Sequence, residues 1–292
     1  MTLLTKAREK FINHLSEKGR AGATVIAYSK DIEQLVMYIT EKENKLNADD
    51  VSKSDIENFL KYLAEHSYTK KTISRKINAI KTFFKYLTDI GLITSDPSQL
   101  IQHPKLEQNA PRILSKLEYR ALRDTVKDDV RTKAIFEILI QTGVKISELQ
   151  NIQQADIKLS ENPDSAGTLT IPHSDSSTGR LIPLNKAVQE AVRNYLKERP
   201  NAKSDNLFIT KTGNPLLVRN IRATLDRYFK QVGLSDVTVN DLRHTFIAEH
   251  LRMGASVLLV SKIAGHKRLS TTENYLRYVE RKESGIGELA EL

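Results

Sequence analysis

Three polar clusters in the second half of the chain hold the side chains best suited to chemistry. They are TGVKISEL at 142–149, NDLRHTF at 240–246 and AGHKRLSTTENY at 264–275. Taken singly, each residue in them has a plain reading. Arg243 and His244 suit a helix surface, His266 after Gly265 suits a helix end, and Tyr275 suits a half-buried core position. Together they have the parts for phosphoryl transfer without a metal. Tyrosine supplies an oxygen nucleophile, arginine a planar fork for two phosphate oxygens, and histidine a donor or proton carrier. Other chemistries lack their parts. The sequence has no P-loop, no dinucleotide fingerprint, no HExxH and no carboxylate cluster of a metal nuclease. It has no Cys, hence no disulfide or Cys metal site. No metal and no cofactor is expected.

The elements that must position these residues are mostly helical. ATVIAYSKDIEQLVMYI carries Val25, Tyr28, Ile32, Leu35 and Ile39 at spacings of three and four, with Thr24 as a cap. Ser54 and Asp55 open a second helix, with Ile56, Phe59, Leu60 and Leu63 inward. The third, TKKTISRKINAIKTFFKYLTDIG, stops at Gly91. It turns Ile73, Ile77, Ile80, Phe84 and Leu87 to one face and Lys71, Arg75, Lys81 and Lys85 to the other. Lys70 at its start joins that basic group, and no acid falls between Glu65 and Asp89. A solvated helix face normally mixes signs, so a single-sign stripe is read as a face that tracks phosphates.

The stretch DPSQLIQHPKLEQNAPR carries three prolines and no apolar period. It divides a helical domain (1–102) from a second domain (113–292) through a linker at 103–112. The second domain opens with a Ser115–Glu118 capping box, followed by the apolar helix TKAIFEILIQTG, ending at Gly143. ADIKL, GTLTIP and RLIPL form a small antiparallel sheet, with SDSSTG as a loose turn. Helices resume near Asn185 and run through STTENYLRYVERK. In that last helix Tyr278 looks like the packing tyrosine, which leaves Tyr275 for another role. The weakly apolar tail ESGIGELAEL is too short to hold a helix alone, and a neighbouring subunit is a candidate dock.

Net charge is +9, with +3 over residues 1–102 and +6 over the rest. A positive balance in both halves suits a polyanion touched along the whole molecule. No run of eighteen apolar residues and no signal-peptide pattern occurs, so the chain reads as a soluble cytoplasmic protein without a membrane segment.

Over nearly its full length the chain resembles the tyrosine recombinases of the phage-integrase and Xer type. TVIAYSKDIEQLVMYI and KTISRKINAIKTFFKYLTDIGLITSDPSQLI resemble that family's helical core-binding domain. TGVKISEL, RLIPL, LRHTF and AGHKRLSTTENYLRY resemble its catalytic segments, in the family's order. The resemblance implies a mainly α fold. A SAM-like helical N-terminal domain precedes an α-rich catalytic domain with a small antiparallel β-sheet, the DNA breaking-rejoining fold. It implies double-stranded DNA as partner, with Tyr275 attacking it to leave a 3′-phosphotyrosyl bond and a 5′-hydroxyl, without ATP or metal. It implies a homotetramer on two DNA sites, a monomer or weak oligomer without DNA, and a C-terminal segment exchanged between neighbours.

Of the functional positions the resemblance carries over, Arg243, His266 and Tyr275 match. Three depart. Lys145 stands where the family has arginine, and lysine lacks the bidentate fork. Asn240 stands where the family has histidine, and asparagine takes no proton. The turn 173–179 holds no lysine where the family has a catalytic one, and Asp175 falls near that position. Losing one transition-state donor costs about 10²–10³ in rate, and losing a general acid or base roughly 10²–10⁴. Such losses do not simply multiply, yet even about 10⁵–10⁶ together leaves on the order of one event per day. Arg180 and His173, which flank the turn, are candidates to compensate, with Arg180 reaching DNA. His244 adds nothing new by this reading, because the family has a histidine there too. Two functions follow. One is a recombinase that exchanges strands, favoured by the retained Tyr275, Arg243 and His266. The other is a DNA-binding accessory protein on the same scaffold, favoured by the three departures.

Overall fold

The computed structural model describes residues 2–106, 109–162, 165–174 and 178–279. Asp175 and the tail ESGIGELAEL lie outside the described residues, as does the end of STTENYLRYVERK. The chain divides into two compact units, Met1–Gln108 and Asn109–Leu292. Among the described residues, no helix is long and apolar enough to cross a membrane.

The first unit is helical: α1 (Leu4–Glu17), α2 (Gly22–Lys42), α3 (Lys53–Glu65) and α4 (Lys70–Asp89). Its core is aromatic and aliphatic, with Phe11, Phe59, Phe83 and Phe84 fully buried beside Ile32, Leu35 and Ile39. Each such side chain contributes about 1.5–3 kcal/mol by leaving water. Ile73, Ile77, Ile80, Phe84 and Leu87 of α4 all face this core. Two helix starts differ from the sequence reading. Helix α2 begins at Gly22, and the Thr24 amide already bonds the Ala21 carbonyl, so Thr24 lies inside the first turn rather than capping it. Helix α3 is capped by Ser52, one residue pair earlier than expected. The Asp55 carboxylate accepts from the Ser52 amide at 2.7 Å, and the Ser52 hydroxyl accepts in return from the Asp55 amide.

The second unit is built around α6 (Val130–Thr142), which follows α5 (Lys116–Thr125). Nearly every residue of α6 from Ala134 onward is buried, as an apolar helix in a core must be. It packs against α8 (Lys186–Glu198) and α10 (Val239–Arg252). The short α7 (Ile146–Asn151) leads to β1 (Ile157–Lys158), β2 (Gly167–Ile171) and β3 (Arg180–Leu184). These form an antiparallel sheet in the order β1-β2-β3, with Leu169 opposite Ile182. Period-two burial puts Leu169, Ile171, Ile182 and Leu184 inward. Helices α9 (Val218–Gln231), α10, α11 (Val257–Ala264) and α12 (Ser270–Glu273) complete the unit. The final helix is shorter than its sequence suggests. After α12 the chain tightens into a 3₁₀ segment, Asn274–Tyr278, and Tyr275 sits on that segment.

Candidate active site

The site is assembled from four chain segments of the second unit. The first leaves α6 through Gly143, whose backbone is left-handed (φ 63°). A Cβ there would stand 2.3 Å from the Phe246 ring, so only glycine fits both the turn and the packing. The turn delivers Lys145 to the start of α7. There the Lys145 amide donates to Glu148 Oε2 at 2.8 Å.

Glu148 is buried and gathers two cationic side chains. Arg180, from the start of β3, grips it with both arms, Nη1 to Oε1 at 3.0 Å and Nη2 to Oε2 at 2.8 Å. Lys145 Nζ lies 3.8 Å from Oε1. Arg180 also donates through Nε to the Ile263 carbonyl at 2.6 Å, near the end of α11. Only 7% of its side chain is exposed. Arg180, expected to reach DNA, is turned inward in this structure. Its fork is spent on a buried carboxylate and a helix end, where a fork–fork pair is strongest. Arg180 takes both carboxylate oxygens of Glu148, and the same carboxylate also favours the charged forms of Lys145 and Arg243.

The second and third segments come from α10 and the end of α11. Arg243 is half-buried and donates to the Gly143 carbonyl. Burial, first, and the nearby Arg180 charge lower its pKa, against Glu148, which raises it. Asn240 is exposed in the first turn of the same helix. Three residues before Arg243 and four before His244, it shares their face. His266 follows Gly265, which ends α11 in a left-handed conformation (φ 69°). The His266 amide bonds the Ser261 carbonyl and the Gly265 amide bonds the Lys262 carbonyl, the paired closure of a Schellman end. Arg180 fills the space over Gly265, and a Cβ there would meet Nη1 at 2.6 Å. The His266 ring is fixed by Nδ1 against the hydroxyl of the fully buried Thr272 at 2.7 Å. Its pKa is lowered to about 4, mainly by burial and then by the charges of Arg243, Lys145, Arg180 and His244. At neutral pH it is an uncharged hydrogen-bonding group.

The fourth segment carries Tyr275. Of the two tyrosines it is Tyr275, not Tyr278, that packs into the core. Tyr275 is 9% exposed and belongs to the apolar core cluster, whereas Tyr278 is half-buried and outside it. The Tyr275 hydroxyl meets His244 Nδ1 at 2.6 Å. Burial raises the Tyr275 pKa, and Arg243 pulls the other way by favouring the phenolate. Lys145 is itself pushed below the ordinary lysine range by burial, with Arg243, Arg180 and Lys267 adding to the effect and Glu148 opposing it.

Of the residues expected at the site, the fold brings the charges of Lys145 and Arg243 to bear on His266, and that of Arg243 on Tyr275. Sequence reasoning missed Glu148, Thr272 and the part played by His244. Glu148 stands three residues after Lys145 and accepts from its amide, half of a capping box, and that acid in the first turn of α7 was the available signal for it. His244 was visible but discounted. No local signal marks its contact with Tyr275, because 31 residues separate them.

A cavity of about 970 Å³ adjoins His266. It lies between β3 and α11 and is lined by Arg180, Leu181, Leu259, Lys262 and Ile263 among others.

On the first unit, Lys70, Lys71, Arg75 and Lys85 are exposed and Lys81 is half-buried. The basic face of α4 is less uniform in space than in sequence. Asp31 of α2 is buried and pairs with Arg75 (Nη2 to Oδ1, 2.9 Å) and with the buried Lys76 (Nζ to Oδ1, 2.8 Å). Lys81 donates to the Gln99 carbonyl at 3.3 Å. The acid that α4 lacks before its last residue is supplied by α2.

Known proteins share this design. Residues 107–281 match the phage integrase family and residues 9–91 its N-terminal SAM-like domain. Tyrosine recombinase XerC of Roseiflexus sp. (strain RS-1) is 31% identical over 280 residues, covering 91% of this chain and 87% of the relative. Tyrosine recombinase XerC of Staphylococcus carnosus (strain TM300) is 34% identical over 188 residues, 62% of each chain. Among solved structures, a lambda integrase dimer bound to a COC′ core site superposes with a TM-score of 0.75. Its identity is 17%, over 92% of this chain and 97% of that one. XerH recombinase bound to palindromic difH, in a post-cleavage complex, gives a TM-score of 0.74 at 17% identity, over 89% and 78%. The two helical and mixed units, the small antiparallel sheet and these matches lead to one conclusion: the chain belongs to the phage integrase family of tyrosine recombinases, enzymes that break and rejoin DNA.

Proposed function

We propose that the protein is a site-specific DNA recombinase in which Tyr275 attacks a backbone phosphate and stores the broken bond as a 3′-phosphotyrosyl link. The observation that carries this reading is the hydroxyl of Tyr275 held at 2.6 Å by His244, with Arg243 close enough to bias that hydroxyl toward the phenolate. In this reading Arg243 and Lys145 bind the non-bridging phosphate oxygens, where preorganised charge acts on the transition state. His266, neutral and fixed by Thr272, donates a hydrogen bond through Nε2. Arg180 and Glu148 hold the frame and touch no substrate.

The substitutions Lys145 and Asn240 slow the enzyme rather than abolish it. Lysine keeps the charge but contacts phosphate as a point. Residues 1–102 serve as the DNA-clamping domain and 113–292 as the catalytic one, joined by the linker 103–112. Lys70, Lys71, Lys81 and Lys85 of α4 follow the phosphates. Arg75 joins them by moving from Asp31, which Lys76 continues to neutralise. The XerH and lambda integrase structures were solved on DNA, and four copies on two duplexes is the assembly proposed here.

The test is a nicked suicide duplex carrying the native site, incubated with the protein for a day and run on a denaturing gel. The expected result is a covalent protein–DNA band that is lost in Tyr275→Phe. Sequence-specific binding with no band would instead assign the chain to the accessory class.

A further inference from the structure

We infer that His244 is the general base that activates Tyr275, a catalytic residue for cleavage and the matching acid for rejoining. The inference rests on the reading of Tyr275 as nucleophile and adds the identity of its proton acceptor. Three observations carry it. His244 Nδ1 is 2.6 Å from the Tyr275 hydroxyl, within direct proton-transfer reach. The contact is fixed from both ends, because α10 and the 3₁₀ segment pack together and Tyr275 is locked in the core. Asn240, on the same helix face, offers no basic atom, and His266 has its Nδ1 engaged by Thr272.

The charged and titratable groups around His244 favour the required state. They are Asp241 and Arg243 on its own helix, Tyr275 on the 3₁₀ segment and His266 beyond α11. Burial lowers the His244 pKa, Arg243 lowers it further and Asp241 opposes them. At neutral pH the ring is uncharged, and with its hydrogen on Nε2 it presents a lone pair to the phenol.

The Tyr275 proton passes to His244 Nδ1, giving an imidazolium. The Oη–P bond forms as the P–O5′ bond breaks. The electron pair of that bond goes to O5′, which takes a proton from water and leaves as a 5′-hydroxyl. In rejoining, the incoming 5′-hydroxyl returns its proton to water as P–O5′ forms, the P–Oη bond breaks, and His244 gives its proton to the tyrosine oxygen. No oxidant, metal or nucleotide enters the balance.

The experiment measures adduct formation on the nicked duplex by the full chain, by His244→Asn and by His244→Gln, with DNA affinity measured on the same preparations to report folding. Each is repeated with a fluorinated, more acidic tyrosine at 275. The expected result is a loss of about 10²–10⁴ in cleavage rate at unchanged DNA affinity. Fluorotyrosine should recover a large part of that loss, since an acidic phenol needs no base. The variants should also regain rate with rising pH, while the unsubstituted protein stays flat above neutrality. Cleavage by both variants at the full rate, or a loss that fluorotyrosine does not relieve, would overturn the assignment of His244. An unsubstituted protein that forms no adduct would overturn the reading of Tyr275 as well, so the two failures are distinct.

Discussion

At the residue scale the site works by giving each titratable group one task. Arg180 pairs with Glu148 through both arms, and in the proposed mechanism Lys145 and Arg243 are the cations for phosphate. His266 illustrates the cost of assembling such charges. Its pKa of about 4 lies below the ordinary value near 6.5, so the unfolded chain binds the proton more readily. The resulting stability is fully present above pH 6.5 and is lost as pH falls from there toward 4. A titration followed by NMR should find the His266 ring neutral at pH 7 in the DNA-free protein, and bound phosphate should raise its pKa. An unshifted His266 near 6.5 would contradict the cluster. Lys145 gives a second residue-scale prediction. Lys145→Arg introduces a bidentate fork and, in the proposed mechanism, should raise the cleavage rate about tenfold or more, given that a transition-state donor is worth about 10²–10³. A rate unchanged by this substitution would place the limitation elsewhere.

At the element scale, positioning depends on chain reversals that no side chain larger than hydrogen allows. Gly143 turns α6 into the Lys145 segment under the Phe246 ring. Gly143→Ala carries both a left-handed penalty of about 1 kcal/mol and an overpacking cost of about 1–3 kcal/mol. Urea unfolding of the second unit should show a midpoint lowered accordingly, with an unchanged slope. A midpoint equal to that of the unsubstituted protein would mean that the Phe246 ring moves aside at no cost.

Much of this scale was legible in sequence, because apolar spacing, capping boxes and glycines are local signals. The Ser115–Glu118 box, the stop of α6 at Gly143, the three strands and the buried face of α4 were all read from neighbours a few residues apart. What was missed is non-local. Asp31 reaches α4 from 44 and 45 residues away, Arg180 reaches Glu148 across 32, and Tyr275 meets His244 across 31. The burial of Tyr275 rather than Tyr278 was illegible for a related reason. The sequence was read as one α-helix, whereas the 3₁₀ segment changes which side chain turns inward.

At the scale of the whole molecule, the positive balance of both halves has a measurable consequence. Each phosphate contact removed should reduce the salt slope of DNA binding by about 0.9. Replacing Lys70, Lys71, Lys81 and Lys85 by Ala should therefore flatten log K against log salt, while Asp31 stays paired and the first unit stays folded. An unchanged slope would remove α4 from the DNA-facing surface. Asp31→Ala is a harsher change, since it strands the buried Lys76 ammonium at a cost of about 3–5 kcal/mol.

The central claim is that Tyr275 forms the covalent bond to DNA. Its most direct test is to digest the suicide-substrate adduct with nuclease and trypsin and to locate the nucleotide remnant by tandem mass spectrometry. Cleavage after Arg268 and Arg277 separates LSTTENYLR from the peptide that begins at Tyr278, so the two tyrosines report independently. The account predicts the remnant on LSTTENYLR, at Tyr275. A remnant on Tyr278, or an adduct on neither peptide, would contradict it.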